Sequence, residues 1–179
     1  MTDLAAKCRP IELLLSDVDG VMTDGRIVYD NQGIESKRFH VRDGVGVKLW
    51  QKSGNRFGII TQRSSHAVKI RASELDVTLV RQGTADKIVT LHEIVEKLGL
   101  ELSQVGYIGD DLPDLPVLRA VGFGVAVSDA AVEVREAADF ITSLAGGQGA
   151  VRETVETILK SQQRWEDLVR SFVDSRITK

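Results

Sequence analysis

Short apolar runs alternate along the chain with longer segments whose apolar residues recur at helical spacing. The runs stop at turn-forming residues, which is typical of parallel strands that are buried on both faces. We predict strands at residues 11–16, 56–61, 77–80, 105–108, 123–127 and 140–142. We predict helices at residues 44–52, 64–75, 84–98 (capped by Thr84), 115–121 and 130–137, and a final helix that begins near Gly149. This alternation predicts an α/β fold, a three-layer, Rossmann-like parallel sheet with helices on both faces.

The segment 24–41 departs from this alternation. Two β-prone arms, residues 25–29 and 35–39, flank the turn formers Asp30-Asn31-Gln32-Gly33, which is the pattern of a β-hairpin. Because this hairpin would leave the sheet beside Asp17 and Asp19, we interpret it as a flap over a site or an interface arm. The alternative is an edge hairpin without such a role.

The C-terminal part of the chain carries an amphipathic stripe. Its apolar members fall at i, i+3, i+4, i+7 and i+8, at Trp165, Leu168, Val169, Phe172 and Val173. Such a stripe is usually part of the intramolecular core, although its position after the last predicted strand also fits packing on another subunit.

We find no linker or repeat and expect a single domain over residues 1–179, with a hairpin flap at 24–41 and a C-terminal helix and tail at 161–179.

Composition narrows the class of protein. The chain has 179 residues, of which 42% are hydrophobic and 27% charged, and this suits one globular domain with a full core. The net charge of −3 gives no electrostatic footprint for nucleic acid. Cys8 is the single cysteine, which excludes an intramolecular disulfide and fits a reducing compartment. Residues 1–10 lack the apolar region of a signal peptide, and no run is long enough to span a membrane, so we expect a soluble, cytoplasmic protein.

Two acidic clusters carry the candidate chemistry. Asp17 and Asp19 follow the first predicted strand, and Asp110 and Asp111 follow the strand at 105–108. Because open α/β sheets bind ligands at the carboxyl ends of their strands, we expect both clusters at one site. Close carboxylates raise one another's pKa unless a cation offsets them, and oxygen ligands without nearby His or Cys favour Mg2+. The alternative is a pair of Asp-rich turns or helix caps.

These clusters and two further residues, taken in chain order, resemble the motifs of the haloacid dehalogenase superfamily of aspartate-nucleophile phosphatases. The motifs are an apolar strand ending in Asp-x-Asp, a strand-end Thr or Ser, a Lys that opens a helix, and an acidic pair after a strand. They correspond here to Asp17 with Asp19, Thr61, Lys87, and Asp110 with Asp111. The resemblance covers nearly the whole chain.

Several longer segments are similar to one branch of that superfamily, the 3-deoxy-D-manno-octulosonate 8-phosphate phosphatases. They are residues 17–25, 41–44, 109–114 and 146–153. The enzymes of this branch lack a cap domain and form tetramers in which the hairpin flap of one subunit helps to close a neighbour's site. The similarity implies the same for this chain, and it implies that the C-terminal tail, residues 175–179, can reach a neighbouring site.

The resemblance also implies roles for individual residues. Asp17 would attack phosphorus, and Asp19 would act as general acid and then as general base. Thr61 would donate a hydrogen bond to phosphate, and Lys87 would place a positive charge beside it. Mg2+ would be held by Asp17, Asp110 and the backbone carbonyl of Asp19. From the residues alone, a strand-end hydroxyl for Thr61 and a solvated first-turn lysine for Lys87 remain the alternatives.

The remaining candidates would bind the substrate or support the site. We expect Arg63 to bind a sugar-acid carboxylate through two parallel hydrogen bonds, and an exposed loop arginine is the alternative. Gln62 stands where the branch usually has Gly, so a left-handed backbone would be costlier there. The predicted substrate-binding set is Thr61, Gln62, Arg63 and Lys87. Weaker candidates are Asp111, Asp114 and Arg71.

The resemblance implies a Mg2+-dependent phosphomonoesterase that hydrolyses 3-deoxy-D-manno-octulosonate 8-phosphate through an aspartyl-phosphate intermediate. Such an enzyme would serve lipopolysaccharide or cell-surface glycan synthesis. One alternative substrate is a nine-carbon keto acid phosphate of the sialic acid type. An alternative of another class is a non-catalytic scaffold domain, and the complete set of motif residues argues against it.

Overall fold

The computed structural model describes residues 4–174, and the predicted tail at 175–179 lies outside the described residues. The strands are β1 Leu13–Ser16, β2 Val28–Tyr29, β3 Glu35–Ser36, β4 Arg56–Thr61, β5 Leu79–Gln82, β6 Val105–Gly109, β7 Phe123–Ala126 and β8 Phe140–Ile141. The helices are α1 Leu4–Cys8, α2 Val41–Lys52, α3 His66–Glu74, α4 Lys87–Leu98, α5 Leu115–Ala120, α6 Val132–Ala137, α7 Ala150–Ser161 and α8 Trp165–Asp174. Short 3-10 helices lie at Leu102–Gln104 and Leu112–Asp114. Within residues 4–174, none of the helices combines the length and apolarity needed to cross a bilayer.

Six strands form one parallel sheet in the order β5-β4-β1-β6-β7-β8. β1 lies in the middle, with Ser16 opposite Ile59 of β4 and Ile108 of β6. Every residue of β1 is buried, which is why the strand reads as a continuous apolar run. The predicted α/β fold is confirmed. The chain adds β4 and β5 on one side of β1 and then β6, β7 and β8 on the other side. The carboxyl ends of β1, β4 and β6 therefore meet at a topological switch point.

The helices pack in two groups. α1 and α2 pack against α7, and α8 adjoins α7, whereas α4 and α6 each pack on α5. The approach of α2 to α7 is close, since a Cβ added at Gly46 would lie 2.9 Å from the Arg152 Cα. Asp43 of α2 accepts a hydrogen bond of 2.9 Å from the Arg152 backbone nitrogen. The segments 41–44 and 146–153, which the sequence analysis singled out separately, are therefore joined in the fold.

The prediction that Thr84 caps α4 is wrong. The side chain of Asp86 accepts a hydrogen bond of 3.1 Å from the Ile88 backbone nitrogen and is the N-cap. Thr and Asp are both good N-cap residues, and the sequence pattern did not separate the two positions. As a result, α4 begins at Lys87, which is the first residue of the helix rather than its third.

β5 begins at Leu79 rather than at residue 77. The backbone nitrogen of Val77 donates a hydrogen bond of 2.9 Å to the Ala72 carbonyl, and Asp76 has a φ of +54°. These residues therefore complete the turn that ends α3 before the strand can start.

A second left-handed residue, Gln163 with a φ of +58°, separates α8 from α7. α1 is present although the sequence pattern did not predict it.

The predicted hairpin is present, but its paired region is short. Val28 pairs with Ser36 and Tyr29 with Glu35, so β2 and β3 have two residues each and the predicted five-residue arms are not fully paired. Within the turn, Asp30 Oδ1 accepts two backbone hydrogen bonds of 2.8 Å, which replaces part of the missing ladder.

Candidate active site

A cavity of about 290 Å³ lies at the carboxyl ends of β1, β4 and β6. Arg71, one of the weaker candidates, lies outside it and pairs with Glu74 of α3 at 3.0 Å. A larger cavity of about 390 Å³ adjoins the starts of β4 and β5 but has no comparable group of carboxylates, so chemistry rather than size marks the site. The site cavity is lined by Asp17, Asp19, Gly25, Ile27, Thr61, Gln62, Arg63, Lys87, Asp110, Asp111, Pro113 and Asp114.

The turn after β1 brings the first acidic cluster against the second. The backbone nitrogens of residues 21–23 all donate to the carbonyl of Val18, which makes the turn tight. Gly20 has a φ of +90°, and a Cβ added there would lie 1.9 Å from Asp110 Oδ2. A side chain at position 20 would therefore strain the backbone and displace the Asp110 carboxylate.

Lys87 is buried between two carboxylates. Its ammonium lies 2.9 Å from Asp17 Oδ2 and 2.6 Å from Asp114 Oδ1. Burial by itself lowers the pKa of Lys87, but the negative charges of Asp17 and Asp114 outweigh this, so the pKa is raised and the side chain stays charged. A cation in the first turn of a helix is disfavoured by the helix dipole, and these carboxylates offset that cost. Lys87 is 4% exposed and is therefore not the solvated lysine of the alternative interpretation.

Asp114 is fully engaged in hydrogen bonds. Its Oδ1 accepts from Lys87 and from the hydroxyl of Tyr107, and its Oδ2 accepts from the backbone nitrogens of residues 110–111. Burial raises the pKa of Tyr107 well above its ordinary value, so the hydroxyl remains a donor. The Asp114 carboxylate lies within 4.8 Å of two others of the site, but neither of its oxygens is free for a metal ion. Tyr107 was not among the predicted site residues, because it lies inside an apolar strand.

Asp17 and Asp110 form the part of the site that fits a cation. The Oδ1 atoms of both are buried and have no hydrogen-bond partner among residues 4–174. Burial and Asp114 raise the pKa of Asp17 to about 6 against the opposing effect of Lys87. Burial, Asp17 and Asp114 raise the pKa of Asp110 to about 8. A divalent cation would satisfy both oxygens and offset the repulsion, and carboxylate oxygens are the ligands that Mg2+ prefers.

The carboxylate of Asp19 is held by the hairpin and by the loop after β4. Lys37 of the hairpin forms an ion pair with Asp19 Oδ1, and Arg63 Nε lies 3.7 Å from Oδ2. Arg63 also donates to Glu35 at 2.8 Å and to the Tyr29 hydroxyl at 3.1 Å, and these bonds raise the pKa of Arg63. Lys37, Glu35 and Tyr29 were not among the predicted site residues. The signal that could have indicated them is the position of the hairpin directly after Asp17 and Asp19.

The loop at the end of β4 tolerates its unusual residue. Among the described residues, a positive φ outside glycine occurs at Asp76 and Gln163, so Gln62 does not carry the backbone cost that the sequence analysis expected. Thr61, the last residue of β4, is 2% exposed beside it. In the neighbouring loop, Asp111 is exposed and accepts a hydrogen bond of 2.8 Å from the next backbone nitrogen, as a helix cap does.

Comparison with known proteins places this site in a family. The haloacid dehalogenase-like hydrolase family matches residues 56–153. The 3-deoxy-D-manno-octulosonate 8-phosphate phosphatase of Yersinia pestis is 44% identical over 164 residues, which are 92% of this chain and 88% of that protein. The chain belongs to the haloacid dehalogenase-like hydrolase family. Another member, the phosphatase of the same name from Escherichia coli strain K12, is 41% identical over 92% of this chain and 88% of its own length.

Solved structures of relatives share the fold of this haloacid dehalogenase-like hydrolase. The 3-deoxy-D-manno-octulosonate 8-phosphate phosphatase of Moraxella catarrhalis, in complex with magnesium ion, phosphate ion and a KDO molecule, superposes with a TM-score of 0.94 at 44% identity, over 96% of this chain and 99% of that one. The cobalt-bound phosphatase of Haemophilus influenzae superposes with a TM-score of 0.89 at 36% identity, over 93% and 99%. The likeness therefore extends well beyond the residues 56–153 that the family match covers.

Proposed function

We propose that this chain is a Mg2+-dependent phosphomonoesterase that hydrolyses 3-deoxy-D-manno-octulosonate 8-phosphate to the free sugar acid and phosphate. The observation that carries the proposal is the buried ion pair of Lys87 and Asp17, 2.9 Å apart, in a cavity that also holds Asp19 and Asp110. Relatives named for this activity match the chain over most of its length, and the structure of one holds magnesium, phosphate and KDO.

Asp17 is the proposed nucleophile. One of its carboxylate oxygens attacks phosphorus, the bond between phosphorus and the sugar oxygen breaks, and Asp17 then carries the phosphoryl group as an aspartyl-phosphate. Its pKa of about 6 leaves it mostly ionised at neutral pH, as a nucleophile requires. Lys87 offsets the charge of the phosphate, and Thr61 donates a hydrogen bond to one of the phosphate oxygens.

Asp19 is the proposed general acid and base. In its protonated form Asp19 gives a proton to the sugar oxygen as that oxygen leaves phosphorus, and it becomes the carboxylate that pairs with Lys37. The same carboxylate then takes a proton from the water that attacks the aspartyl-phosphate. The second step releases phosphate, restores the Asp17 carboxylate and returns the proton to Asp19, so the cycle closes without a further reactant.

The proposed metal ligands are Asp17, Asp110 and the backbone carbonyl of Asp19. A Mg2+ ion bound there supplies positive charge that orients the Asp17 carboxylate and screens it from the phosphate. The buried, unpartnered oxygens of Asp17 and Asp110 support this assignment. Asp114 is assigned to hold Lys87 and the loop that carries Asp110, which is consistent with the donors that it accepts.

Arg63 and Gln62 are the proposed contacts for the sugar-acid end of the substrate. Both border the cavity beside the phosphate-binding Thr61. The 2.8 Å contact of Arg63 with the Glu35 carboxylate supports its role, since the guanidinium already binds the chemical group that a sugar acid presents.

We further propose that a single domain over residues 1–179 assembles as a homotetramer in the cytoplasm and serves lipopolysaccharide synthesis. Exposed apolar residues of the hairpin, Val28 at 49% and Ile34 at 58%, support an interface at that element. The reach of residues 175–179 into a neighbouring site stays a prediction.

Phosphate release measured with Mg2+ and with a chelator tests the proposed function. 3-Deoxy-D-manno-octulosonate 8-phosphate is compared with a panel of other sugar phosphates. We expect Mg2+-dependent release from this ester to exceed release from the others by at least about tenfold. Preference for a nine-carbon keto acid phosphate would keep the reaction and change the substrate. No release from any ester would contradict the proposal and favour the scaffold alternative.

Asp17→Asn should remove turnover while the fold remains. We expect kcat to fall by at least about a thousandfold, because an amide cannot serve as the nucleophile. Asp76→Asn is the matched control, since Asp76 is an exposed aspartate that pairs with Lys48 away from the cavity. Circular dichroism checks that both variants fold. Turnover by Asp17→Asn close to that of the control would overturn the assignment of the nucleophile.

A further inference from the structure

The hairpin places a buried lysine on Asp19. The side chain of Lys37 is 1% exposed, and its ammonium forms an ion pair with Asp19 Oδ1. A buried charge without partners is strongly unfavourable, so the carboxylates around it determine where this ammonium lies. Lys37 is not among the residues that line the site cavity, so it would act on a bound substrate through Asp19 rather than by direct contact.

Four charged side chains close a ring around this contact. Lys37 Nζ lies 3.5 Å from Glu35 Oε1, and Arg63 Nη2 lies 2.8 Å from the same oxygen. Arg63 Nε is 3.7 Å from Asp19 Oδ2, which completes the ring. Because cations and carboxylates alternate around it, each neighbouring pair attracts. The two oxygens of Asp19 are thus held by two cations, one from the hairpin and one from the loop after β4.

The two cations differ in their access to the cavity. Arg63 is 37% exposed and lines the cavity, so an anionic group of a substrate can draw it away from Asp19. Lys37 is shielded from that competition and stays on the carboxylate. The same arrangement recurs at the other aspartate of the cluster, where the buried Lys87 contacts Asp17. Each of the two aspartates therefore has a buried lysine of its own.

We propose that Lys37 is a positioning residue that acts through Asp19 and holds its carboxylate in the orientation from which a proton reaches the leaving sugar oxygen. The inference rests on the proposed function and extends it to a residue of the hairpin. It makes the hairpin a part of the catalytic apparatus of its own subunit. The competing explanation is an ion pair that merely anchors the hairpin.

The effect of a Lys37 substitution on the rate with different leaving groups distinguishes a positioning residue from an anchor of the hairpin. Lys37→Met removes the charge and keeps the length of the side chain. With the sugar phosphate, the leaving alkoxide needs a proton, so we expect the first-turnover rate to fall at least about tenfold. With p-nitrophenyl phosphate, the leaving group departs without a proton, so the first-turnover rate should change by less than about twofold. Rapid mixing, with quenching for the sugar phosphate, measures both rates.

Matched variants control for charge and for folding. Lys48→Met removes another lysine that is ion-paired, with Asp76, and it should leave both rates unchanged. Lys37→Arg keeps the positive charge and should restore the sugar phosphate rate to within about threefold of wild type. If circular dichroism shows that Lys37→Met does not fold, Glu35→Gln is tested in its place. This variant removes one charge of the ring without changing Asp19. We expect the first-turnover rate to fall with the sugar phosphate but not with p-nitrophenyl phosphate, and by less than in Lys37→Met.

The possible outcomes separate this inference from the proposed function. Equal falls with both esters, or no fall with either, would overturn the positioning role, provided that wild type hydrolyses the sugar phosphate. A wild-type protein inactive on the sugar phosphate would instead contradict the proposed function itself. A selective fall that Lys37→Arg reverses would support both.

Discussion

Asp110 differs from Asp17, Asp19 and Asp114 in its electrostatic environment. Lys87 contacts Asp17 and Asp114, and Lys37 contacts Asp19. No lysine or arginine within residues 4–174 forms a comparable ion pair with Asp110, whose Oδ1 is buried and unpartnered. At the scale of single residues, Asp110 is therefore the carboxylate whose charge a bound cation would offset, and we propose that Mg2+ binds there.

The affinity for Mg2+ should rise with pH. Burial, Asp17 and Asp114 raise the pKa of Asp110 to about 8 in the metal-free protein, so the carboxyl is largely protonated at neutral pH. The cation binds the ionised form and has to displace that proton. We therefore expect the affinity to rise steeply with pH below about 6, where Asp17 and Asp110 are both protonated, and more gently up to about pH 8, above which it levels off.

Isothermal titration calorimetry in buffers of different ionisation enthalpy measures both the affinity and the protons released. Proton release per bound Mg2+ should fall from about two below pH 6 to about one near neutral pH, and it should vanish above the pKa of Asp110. Asp76→Asn, far from the cavity, should show the wild-type profile. An affinity that is the same throughout this pH range would contradict the proposed ligation by Asp110.

At the scale of elements, α7 depends on α2 for its N-terminal cap. The N-cap residue of α7 is Gly149, which has no side chain and a φ of +111°. Asp43 of α2 is 2% exposed and accepts a hydrogen bond of 2.9 Å from the Arg152 backbone nitrogen instead. The first turn of α7 would otherwise bury donors without partners, so the two helices stabilise each other.

Asp43→Ala should lower the free energy of unfolding by about 1–3 kcal/mol, because it removes the cap and leaves a buried donor unsatisfied. Asp43→Asn keeps an acceptor oxygen and should cost less. Urea denaturation measures both values. Glu96→Ala, at an exposed position of α4, is the control and should change stability by no more than about 0.5 kcal/mol. Equal losses for Asp43→Ala and Glu96→Ala would rule out the capping role.

At the scale of the whole molecule, the switch point of the sheet and the hairpin contribute side chains to the same site. β1 lies between β4 and β6, so side chains from distant parts of the chain meet at one edge. The hairpin follows β1 and returns Lys37 to the same edge. The hairpin also carries the exposed apolar residues Val28 and Ile34, and exposed apolar patches are typical of interfaces between proteins.

Ile34→Asp should weaken the proposed homotetramer. A charge in an apolar interface loses its hydration without a partner, so the assembly should shift towards smaller species. Light scattering coupled to size-exclusion chromatography measures the mass. Val132→Asp is the control, because Val132 is similarly exposed, at 54% against 58%, but lies on α6. A wild-type mass of one chain, or the same shift in both variants, would contradict an interface at the hairpin.

Local patterns in the sequence were sufficient for the architecture and for the positions of many candidate residues. A buried parallel strand requires a continuous apolar run and a turn at its end, and both are local properties. The parallel order of such strands then predicts that Asp17, Thr61 and Asp110 share an edge, as the structure has them. The cap of α4 and the start of β5 were missed because neighbouring residues compete for the same local role.

Periodicity and motif spacing are local properties of the chain, and they were enough to predict the kind of fold, the family and the acidic residues at the ends of the strands. Which charges meet depends instead on tertiary packing. Lys37 reaches Asp19 and Asp43 reaches the backbone of Arg152 through the packing of separate elements. Such pairings depend on the distance between side chains in space and on their shielding from water, and neither quantity is a property of sequence separation.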